Sequence, residues 1–244
     1  MKILIIGESC QDIYQYGSSV RLAPEAPVPV FKSGGARKEM GGMAMNVYNN
    51  IQSLGVRADL HTNNNWEEIR KTRFVDTRTN YLVLRLDEND YLYGHADLTS
   101  IDFTTYDAVV ISDYNKGFLS EEDIWLISRG NPVTFLDTKK ILGDWCESVK
   151  YIKINDVEYG KTQHKLTSAM EDKLIITRGP EGCEHRNITY PVPKVEIKDA
   201  AGAGDTFISA LAVEYIKSWS IVSAIEFANE CATKVVQKKG VSII

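Results

Sequence analysis

The sequence predicts an α/β fold, in which a mostly parallel, doubly wound sheet lies between layers of helices and a small β-sheet stands beside it. Five short apolar runs, each followed by polar residues, indicate the main sheet. An apolar stripe with spacings of three and four residues near the C-terminus indicates covering helices. A proline-rich stretch and a β-rich stretch outside this pattern indicate the smaller sheet.

The five apolar runs are the predicted strands of the main sheet. They are Ile3 to Ile6, Ala108 to Ser112, Val133 to Leu136, Tyr151 to Ile154 and Leu174 to Ile176. Continuous apolar runs are typical of parallel strands that are buried on both faces. Open α/β sheets bind ligands at the carboxyl ends of their strands, so we expect the site among the polar residues that follow these runs. Asp12, after the first run, is either a ligand residue or a solvated loop carboxylate.

Two segments predict the small sheet. Arg21 to Phe31 reads R-L-A-P-E-A-P-V-P-V-F, and because proline cannot donate to a β-ladder we expect an extended edge segment there. Thr72 to Leu86 has the pattern of a hairpin with a turn near Thr77 to Asn80. Ala58 to His61 is expected to form a further short strand.

Three helices follow from apolar spacing. Gly41 and Gly42 open a stretch with Ala44, Val47, Ile51 and Leu54 near helical spacing, and Gly55 would end that helix. Asn46 falls in its first turns, where it points either at a bound polyol or at solvent. Glu121 to Ser128 has acidic residues in its first turn, and Ile221 to Val236 carries the apolar stripe.

Length, composition and charge exclude several classes of protein. The 244 residues suit one domain, 1–244, with a small sheet as an appendage. Because the net charge is −5 and no dense Lys/Arg block occurs, we expect no nucleic-acid partner. No apolar run approaches a membrane span and the first run is too short for a signal peptide, which favours a cytoplasmic protein. The cysteines and histidines are scattered, so no zinc site is expected.

The stretch from Asp199 to Leu211, D-A-A-G-A-G-D-T-F-I-S-A-L, has the strongest functional pattern. Small residues run into a helical apolar pattern, and the unpaired amides of a helix start can bind an anion. A carboxylate placed there, Asp205, is a candidate base for phosphoryl transfer to a hydroxyl. On composition alone, a glycine-rich turn with an aspartate near a helix start is an equal alternative. The motifs of P-loop kinases and of α/β-hydrolases are absent from the sequence.

Several motifs in the same order resemble the PfkB, or ribokinase-type, family of small-molecule kinases. They are D-A-A-G-A-G-D from Asp199 to Asp205, the Gly41-Gly42 and Asn46 element, and N-x-x-E from Asn155 to Glu158. Within that family the chain is similar to the heptose-7-phosphate kinases. That likeness lies in R-L-A-P-E-A-P-V-P-V from Arg21 to Val30, I-S-D-Y-N-K-G from Ile111 to Gly117 and L-D-T-K from Leu136 to Lys139.

The resemblance implies a ribokinase-like three-layer α/β/α sandwich and a role for each matching residue. Asp205 would be the catalytic base, and Gly202, Ala203 and Gly204 would form the backbone anion hole. The residues implied to bind the sugar are Asp12, Gly41, Gly42 and Asn46, with Arg85, Lys116 and Lys139 as weaker candidates that are equally expected to be surface cations. Those assigned to the nucleotide are Asn155, Thr177, Arg178, Gly179 and Gly182. Glu158, with Asn155, would hold Mg²⁺ through water.

The family likeness also implies ATP and Mg²⁺ as cofactors, a sugar phosphate as substrate, and a homodimer formed through a lid at about residues 13–32 and 72–95. The activity implied is phosphorylation of the anomeric hydroxyl of D-glycero-D-manno-heptose 7-phosphate. Other sugars or nucleosides are alternative substrates, and a catalytically weak binding homologue is an alternative from another class.

The sequence departs from the family pattern at several points. Ala200 and Tyr48 replace residues usual in relatives, and Asp137-Thr138-Lys139-Lys140 replaces Asp-Pro-Lys-Gly. Leu60 to Arg73 is shorter than in relatives by about one βα unit, which favours the binding homologue, whereas the intact Gly202 to Asp205 run favours the kinase. No H-x-G-H motif occurs, so we expect no nucleotidyltransferase half in these residues.

Overall fold

The main sheet of the computed structural model, which describes residues 1–91 and 93–244, has eight strands in the order β12-β11-β10-β9-β8-β7-β1-β4. These strands are β1 (Lys2–Gly7), β4 (Arg57–His61), β7 (Ala108–Asp113), β8 (Thr134–Thr138), β9 (Tyr151–Asn155), β10 (Leu174–Thr177), β11 (Cys183–His185) and β12 (Ile188–Tyr190). β11 and β12 are antiparallel and the other neighbours are parallel. The predicted, mostly parallel sheet and all five of its predicted apolar strands are confirmed.

Helices cover both faces of this sheet. They are α1 (Ala44–Ser53), α2 (Glu121–Gly130), α3 (Asp156–Thr162), α4 (Ser168–Glu171), α5 (Ala203–Ser218) and α6 (Ile221–Val235). Alternate residues of β1 point to opposite faces. Ile3 and Ile5 therefore join a buried cluster with α1, α5 and α6, whereas Leu4 and Ile6 join one with α2. The two clusters make the three-layer arrangement that the sequence predicted.

Four strands form the second, smaller sheet in the order β3-β2-β5-β6. They are β2 (Ser9–Leu22), β3 (Pro29–Met43), β5 (Arg70–Asp76) and β6 (Leu82–Glu88). The predicted hairpin of β5 and β6 is confirmed. The proline-rich run is not one extended edge segment, because residues 23–28 turn the chain between β2 and β3. The observed strands thus extend beyond the expected lid bounds of 13–32 and 72–95.

Two further expectations about this sheet were wrong. Gly41 and Gly42 do not open α1 but end the long strand β3, and the helix begins at Ala44. Of the two alternatives for Asp12 the solvated loop carboxylate is wrong, because Asp12 is buried within β2, where it pairs in register with Met40 and Lys71. In both cases a glycine or a polar residue suggested that regular strand structure stops there. The strand nevertheless continues through that residue, because it pairs with the neighbouring strand.

The inner face of the small sheet packs on the segment that precedes α5. Tyr14 and Val75 form a buried cluster with Val241, and Ala201 packs against them. Asn80 Nδ2 also donates to the carbonyl oxygen of Lys198 at 3.3 Å. The small sheet therefore lies over the start of α5 and is positioned to cover a ligand there.

The close approach of β1 and β7 at their carboxyl ends gives a test of this packing. A Cβ at Gly7 would overlap the carbonyl oxygen of Ser112, a backbone atom that cannot move aside. We expect Gly7→Ala to lower the free energy of unfolding by about 3 kcal/mol, because forced overpacking has costs of this order. Urea unfolding measures the change. Gly160→Ala is the control, since that glycine lies in α3 with open space around it and alanine is the better helix former. Equal stabilities for the two variants would contradict the close approach.

Among the residues described, no helix is both long enough and apolar enough to cross a membrane.

Candidate active site

The site forms around the first turn of α5. Gly202 precedes the helix with φ of 82°, in the left-handed region, and a Cβ there would lie 2.9 Å from Asn46 Nδ2 and 3.0 Å from Val241 Cγ1. Glycine fits both demands because it has no Cβ and adopts positive φ at little cost. The turn therefore brings Asp205 into the interior within three residues of the helix start.

The backbone amides at this helix start are partly free. The amide of Ala203 donates to the carbonyl oxygen of Ala200 at 3.3 Å, and that of Thr206 donates to Gly202 at 2.9 Å. Nothing in the described part of the chain accepts from the amides of Gly204 and Asp205. Since helix N-termini attract anions, these two amides are the donors open to a phosphoryl group. The two open amides therefore overlap the predicted anion hole of Gly202, Ala203 and Gly204 at Gly204 alone.

The Asp205 carboxylate is buried and held from two sides. Asn46 Nδ2 donates to Oδ2 at 2.9 Å, and the Tyr114 hydroxyl donates to Oδ1 at 2.9 Å. Burial raises the pKa of Asp205 to about 6, against the lowering effect of the hydrogen bond from Asn46. A carboxylate with such a pKa is ionised at neutral pH and still accepts a proton readily, which is what a general base requires.

A buried ion pair lies against the same helix start. Lys153 Nζ contacts Asp137 Oδ2 at 2.7 Å, and the Lys153 side chain is only 6% exposed. A Cβ at Gly204 would lie 2.9 Å from Nζ, so the ammonium group packs directly against Gly204. Although burial alone would lower the pKa of Lys153, the charge of Asp137 raises it, and the lysine stays charged. A fixed cation therefore faces the open amides.

The predicted N-x-x-E motif forms the start of α3. Asn155 Oδ1 accepts from the amide of Glu158 at 3.0 Å, and Glu158 Oε2 accepts from the amide of Asn155 at 2.8 Å. This reciprocal pair is a capping box. Glu158 Oε1 accepts from Lys139 Nζ at 3.1 Å, and Lys139 also lies 4.8 Å from the centre of the Tyr114 ring. The motif thus shapes the helix start and places a buried carboxylate toward the site.

A largely apolar cavity of about 620 Å³ adjoins the open amides. Ala203 and Gly204 line one end, and Phe207 and Val236 line its side. Thr177, Gly179 and Gly182, three of the residues assigned to the nucleotide, also line the cavity. Arg178 and Asn155 are not among its lining residues. Arg178 forms ion pairs with Asp156 and Glu184 instead.

The side expected to bind the sugar lies between β2, β3 and α1. Asp12 is buried and its Oδ1 forms an ion pair with Arg73. A Cβ at Gly42 would overlap Asp12 Oδ2, and one at Gly41 would overlap the Met45 side chain, so both glycines leave room beside this carboxylate and helix. Arg85 is paired with Asp87 at 2.7 Å and lies across from Arg73 in the sheet. Arg85 thus lies on the small sheet and not beside Asp205.

Lys116, the remaining sugar candidate, belongs to a charged cluster around Asp90. Lys116 Nζ and Lys71 Nζ contact the two oxygens of Asp90 at 2.5 and 3.3 Å, and the Tyr93 hydroxyl donates to it at 2.6 Å. Burial alone would raise the pKa of Asp90, but the hydrogen bonds from Lys116 and Tyr93 lower it to about 2. Two ammonium groups share one carboxylate, so the cluster keeps a net positive charge, and Lys116 already has a structural partner in Asp90.

The sequence analysis did not name Lys153 or Arg73 as site residues, and it included Asp137 and Tyr114 only within the polar segments that follow the strands. Lys153 carried a usable signal, because a lysine inside the apolar run of Tyr151 to Ile154 has to be paired when that strand is buried. The segment that lines the apolar cavity near Val192 to Ile197 carried none, since it has no regular structure and no periodic pattern.

Comparison with solved structures defines the class of the fold. A ribokinase from Thermotoga maritima superposes with a TM-score of 0.72 at 17% identity, covering 98% of this chain and 94% of its own. A nucleoside kinase from Methanocaldococcus jannaschii gives 0.69 at 18% identity, covering 98% and 92%. The fold is ribokinase-like, as the sequence predicted.

The sequence comparisons find one family model and several relatives that match part of their length. The model of the pfkB family of carbohydrate kinases matches residues 142–244. The bifunctional protein HldE of Helicobacter pylori strain J99 is 30% identical, with 98% of this chain and 63% of the relative covered. HldE of Psychromonas ingrahamii is 28% identical, covering 100% and 62%. Residues 142–244 are thus similar to the pfkB family of carbohydrate kinases, and almost the whole chain is similar to part of HldE.

Length differs between this chain and those relatives. The chain spans a little under two thirds of the Helicobacter pylori protein. That alignment runs over 294 positions, whereas the chain has 244 residues, so at least 50 positions of the alignment have no counterpart here. In the structure β4 is the edge of the main sheet, and residues 62–69 lead directly to β5 in the small sheet. This direct connection fits the short segment noted in the sequence.

Proposed function

We propose that the protein transfers the γ-phosphate of ATP to the anomeric hydroxyl of D-glycero-D-manno-heptose 7-phosphate and gives heptose 1,7-bisphosphate. The observation that carries this proposal is the position of Asp205. Its buried carboxylate lies beside the open amides of Gly204 and Asp205, between an apolar cavity and a polar group that includes Asn46. A base, an anion site and a nucleotide-sized cavity at one point suit phosphoryl transfer to a hydroxyl.

In the proposed step Asp205 accepts the proton of the sugar hydroxyl while the hydroxyl oxygen forms a bond to the γ-phosphorus. The bond between that phosphorus and the β,γ-bridging oxygen breaks, and ADP leaves. The amides of Gly204 and Asp205 and the ammonium group of Lys153 would stabilise the negative charge on the transferred group. The apolar cavity would take the adenine ring, with Thr177, Gly179 and Gly182 at its wall.

The residues around α3 fit a magnesium ion that is carried mainly by ATP and water. Among residues 1–91 and 93–244 no group of three His, Cys, Asp or Glu side chains could hold a metal alone. Glu158 offers one buried carboxylate whose partner, Lys139, is 45% exposed and free to turn away. Magnesium retains most of its water and commonly uses one or two carboxylates together with substrate phosphates. When bound, the ion would add positive charge at the phosphates, with Glu158 contacting its water.

The choice of heptose 7-phosphate rests on the sequence likeness in the lid and on the HldE relatives. A kinase for another sugar or a nucleoside is the alternative. The small sheet would face the substrate, and it is the part of the fold whose sequence is least constrained. The shortened segment favours a second alternative, a weakly active homologue that binds a sugar phosphate or nucleotide. We also propose a cytoplasmic location, where ATP would be available as the phosphate donor.

A coupled ADP-release assay over a panel of sugars, sugar phosphates and nucleosides tests the proposal. We expect turnover that depends on magnesium and is fastest with heptose 7-phosphate, and a new anomeric phosphate in the phosphorus NMR spectrum of the product. Faster turnover of another substrate would replace the heptose assignment. Calorimetric binding of ATP without turnover of any substrate would establish the binding homologue instead.

We further propose that the small sheet forms a homodimer interface. Leu84 and Leu86 lie on one face of β6, and they are 56% and 44% exposed. Phe74, which pairs in register with Leu84, packs edge-on against Phe31 at 5.3 Å between ring centres. Exposed apolar faces of this kind are typical of interaction sites.

A charge on this face should prevent dimer formation. We expect Leu84→Glu to convert a dimer to a monomer in analytical ultracentrifugation, because a carboxylate buried between two copies has no partner charge. Val222→Glu on α6, where the side chain is 46% exposed, is the matched control and should leave the dimer intact. A monomeric wild type, or a dimer that persists in Leu84→Glu, would show that this face is not the interface.

A further inference from the structure

The loop after β7 contributes the side chain of Tyr114 to the candidate site. The proposed reaction gives this tyrosine no role. The Tyr114 hydroxyl donates to Asp205 Oδ1 at 2.9 Å, on the oxygen that Asn46 does not hold. Two cations flank the Tyr114 ring, with Lys139 Nζ at 4.8 Å and Lys71 Nζ at 5.9 Å from its centre. The tyrosine is thus fixed between the α3 side and the small-sheet side of the site.

A fully buried carboxylate, which follows the neighbouring strand β1, holds the backbone of this loop. Glu8 follows β1 and is 0% exposed. Its Oε2 accepts from the amide of Tyr114 at 2.8 Å, and its Oε1 accepts from the amide of Lys116 at 2.9 Å. A carboxylate that accepts two backbone amides fixes the loop geometry, because both oxygens are engaged by charge-assisted hydrogen bonds.

We infer that Tyr114 is a positioning residue for Asp205, and that Glu8 positions Tyr114 by holding its loop. This inference rests on the proposed role of Asp205 as the base. The hydroxyl of Tyr114 fixes the orientation of the carboxylate, and it stabilises the ionised form that accepts the substrate proton. A substrate hydroxyl then meets a base whose orientation is already fixed.

The effect of removing the hydroxyl depends on every charged group that faces Asp205. Asp137 on β8 raises the pKa of Asp205, whereas Lys153 on β9 and the hydrogen bonds from Asn46 on α1 and from Tyr114 lower it. Without the Tyr114 hydroxyl, one of the contacts that lower the pKa of Asp205 is lost, whereas those from Asn46 and Lys153 remain. The pKa of Asp205 then rises, so the fraction of active, ionised base falls first at acidic pH.

Tyr114→Phe tests the inference through two measurements. We expect the acidic limb of kcat/KM to move to higher pH by roughly one unit, with a loss of less than about tenfold well above that limb. A carboxyl-carbon NMR titration of Asp205, with its resonance assigned by its absence in Asp205→Asn, should show the same shift. Tyr106→Phe is the matched control, because its hydroxyl also donates to a carboxylate, Asp59 at 2.7 Å, but lies outside the site.

Glu8→Gln tests the second part of the inference. The amide nitrogen of the new side chain would face a backbone N–H group, so one of the two loop contacts is lost. We expect the Asp205 titration midpoint to rise as in Tyr114→Phe, and the double variant to add no further shift. Fluorescence-monitored unfolding shows whether each variant is folded.

The outcomes separate this inference from the proposed function. An Asp205 midpoint that is the same in wild type, Tyr114→Phe and Tyr106→Phe would overturn the positioning role, whether or not the protein turns over a sugar. Absence of turnover in wild type together with the expected NMR shift would leave the positioning of Asp205 supported and would instead contradict the kinase assignment. A shift in Tyr114→Phe but none in Glu8→Gln would restrict the role to Tyr114.

Discussion

Asp205→Asn should reduce kcat for the proposed sugar kinase reaction by roughly 10²- to 10⁴-fold, the usual loss when a general base is removed. The substituted amide cannot accept the hydroxyl proton, while its size and position are almost unchanged. The KM for ATP should change little, because the apolar cavity and the amide of Gly204 remain in place. Steady-state ADP release at pH 8, with heptose 7-phosphate or the best substrate of the panel, measures the loss.

The fold should tolerate this substitution well. The carbonyl of the new side chain can accept from Asn46, and its amide nitrogen can donate to the Tyr114 hydroxyl, which is able to reverse its role. Burial of the ionised Asp205 opposes folding, since the pKa is raised to about 6. At pH 8 we therefore expect the neutral variant to be at least as stable as wild type, by up to about 3 kcal/mol. A thermal melt at that pH provides the folding control.

The pH profile adds a second check on the same residue. Since the base acts when it is ionised, wild-type kcat/KM should rise with pH through a midpoint near 6, where Asp205 titrates. The residual activity of Asp205→Asn should lack this limb. Equal turnover in the variant, or an acidic limb that persists in it, would show that another group is the base.

Asp205 and Asn46 could be named as candidate site residues from the sequence because both lie in local patterns. The glycine-rich run predicted the start of α5, and the helical spacing after Ala44 placed Asn46 in a first turn. Their contact at 2.9 Å joins residues 159 positions apart, and the sequence assigned both to one ligand site without predicting this contact. Local pattern thus identified the side chains, and the doubly wound topology brought them together.

The Lys153 and Asp137 pair could not be found in that way. The contact depends on the register of β8 and β9, in which Asp137 lies directly beside Lys153. A shift of one residue would point either side chain to the other face of the sheet. Register is set by the packing of both strands and is not visible in either run alone. For the same reason Gly41 and Gly42 were misassigned, because their pairing with Gln11 and Cys10 continues β3 past a local helix-start pattern.

Lys153→Met should have the second large effect, on both turnover and stability. Removal of one preorganised donor for transition-state charge typically lowers kcat about 10²- to 10³-fold, and Lys153 Nζ lies against Gly204 at the open amides. The substitution also leaves Asp137 buried without its partner, which typically lowers the free energy of unfolding by about 3–5 kcal/mol. Kinetics under conditions where the variant is folded, and urea unfolding, measure the two effects.

A double variant separates the two effects of Lys153. Asp137→Asn combined with Lys153→Met removes both charges, so no unpaired ion stays buried and most of the lost stability should return. Turnover should remain low, because the cation at the anion site is still absent. If the double variant recovered wild-type kcat together with its stability, Lys153 would act only through the fold. If it recovered stability alone, the charge at Nζ itself would be needed for phosphoryl transfer.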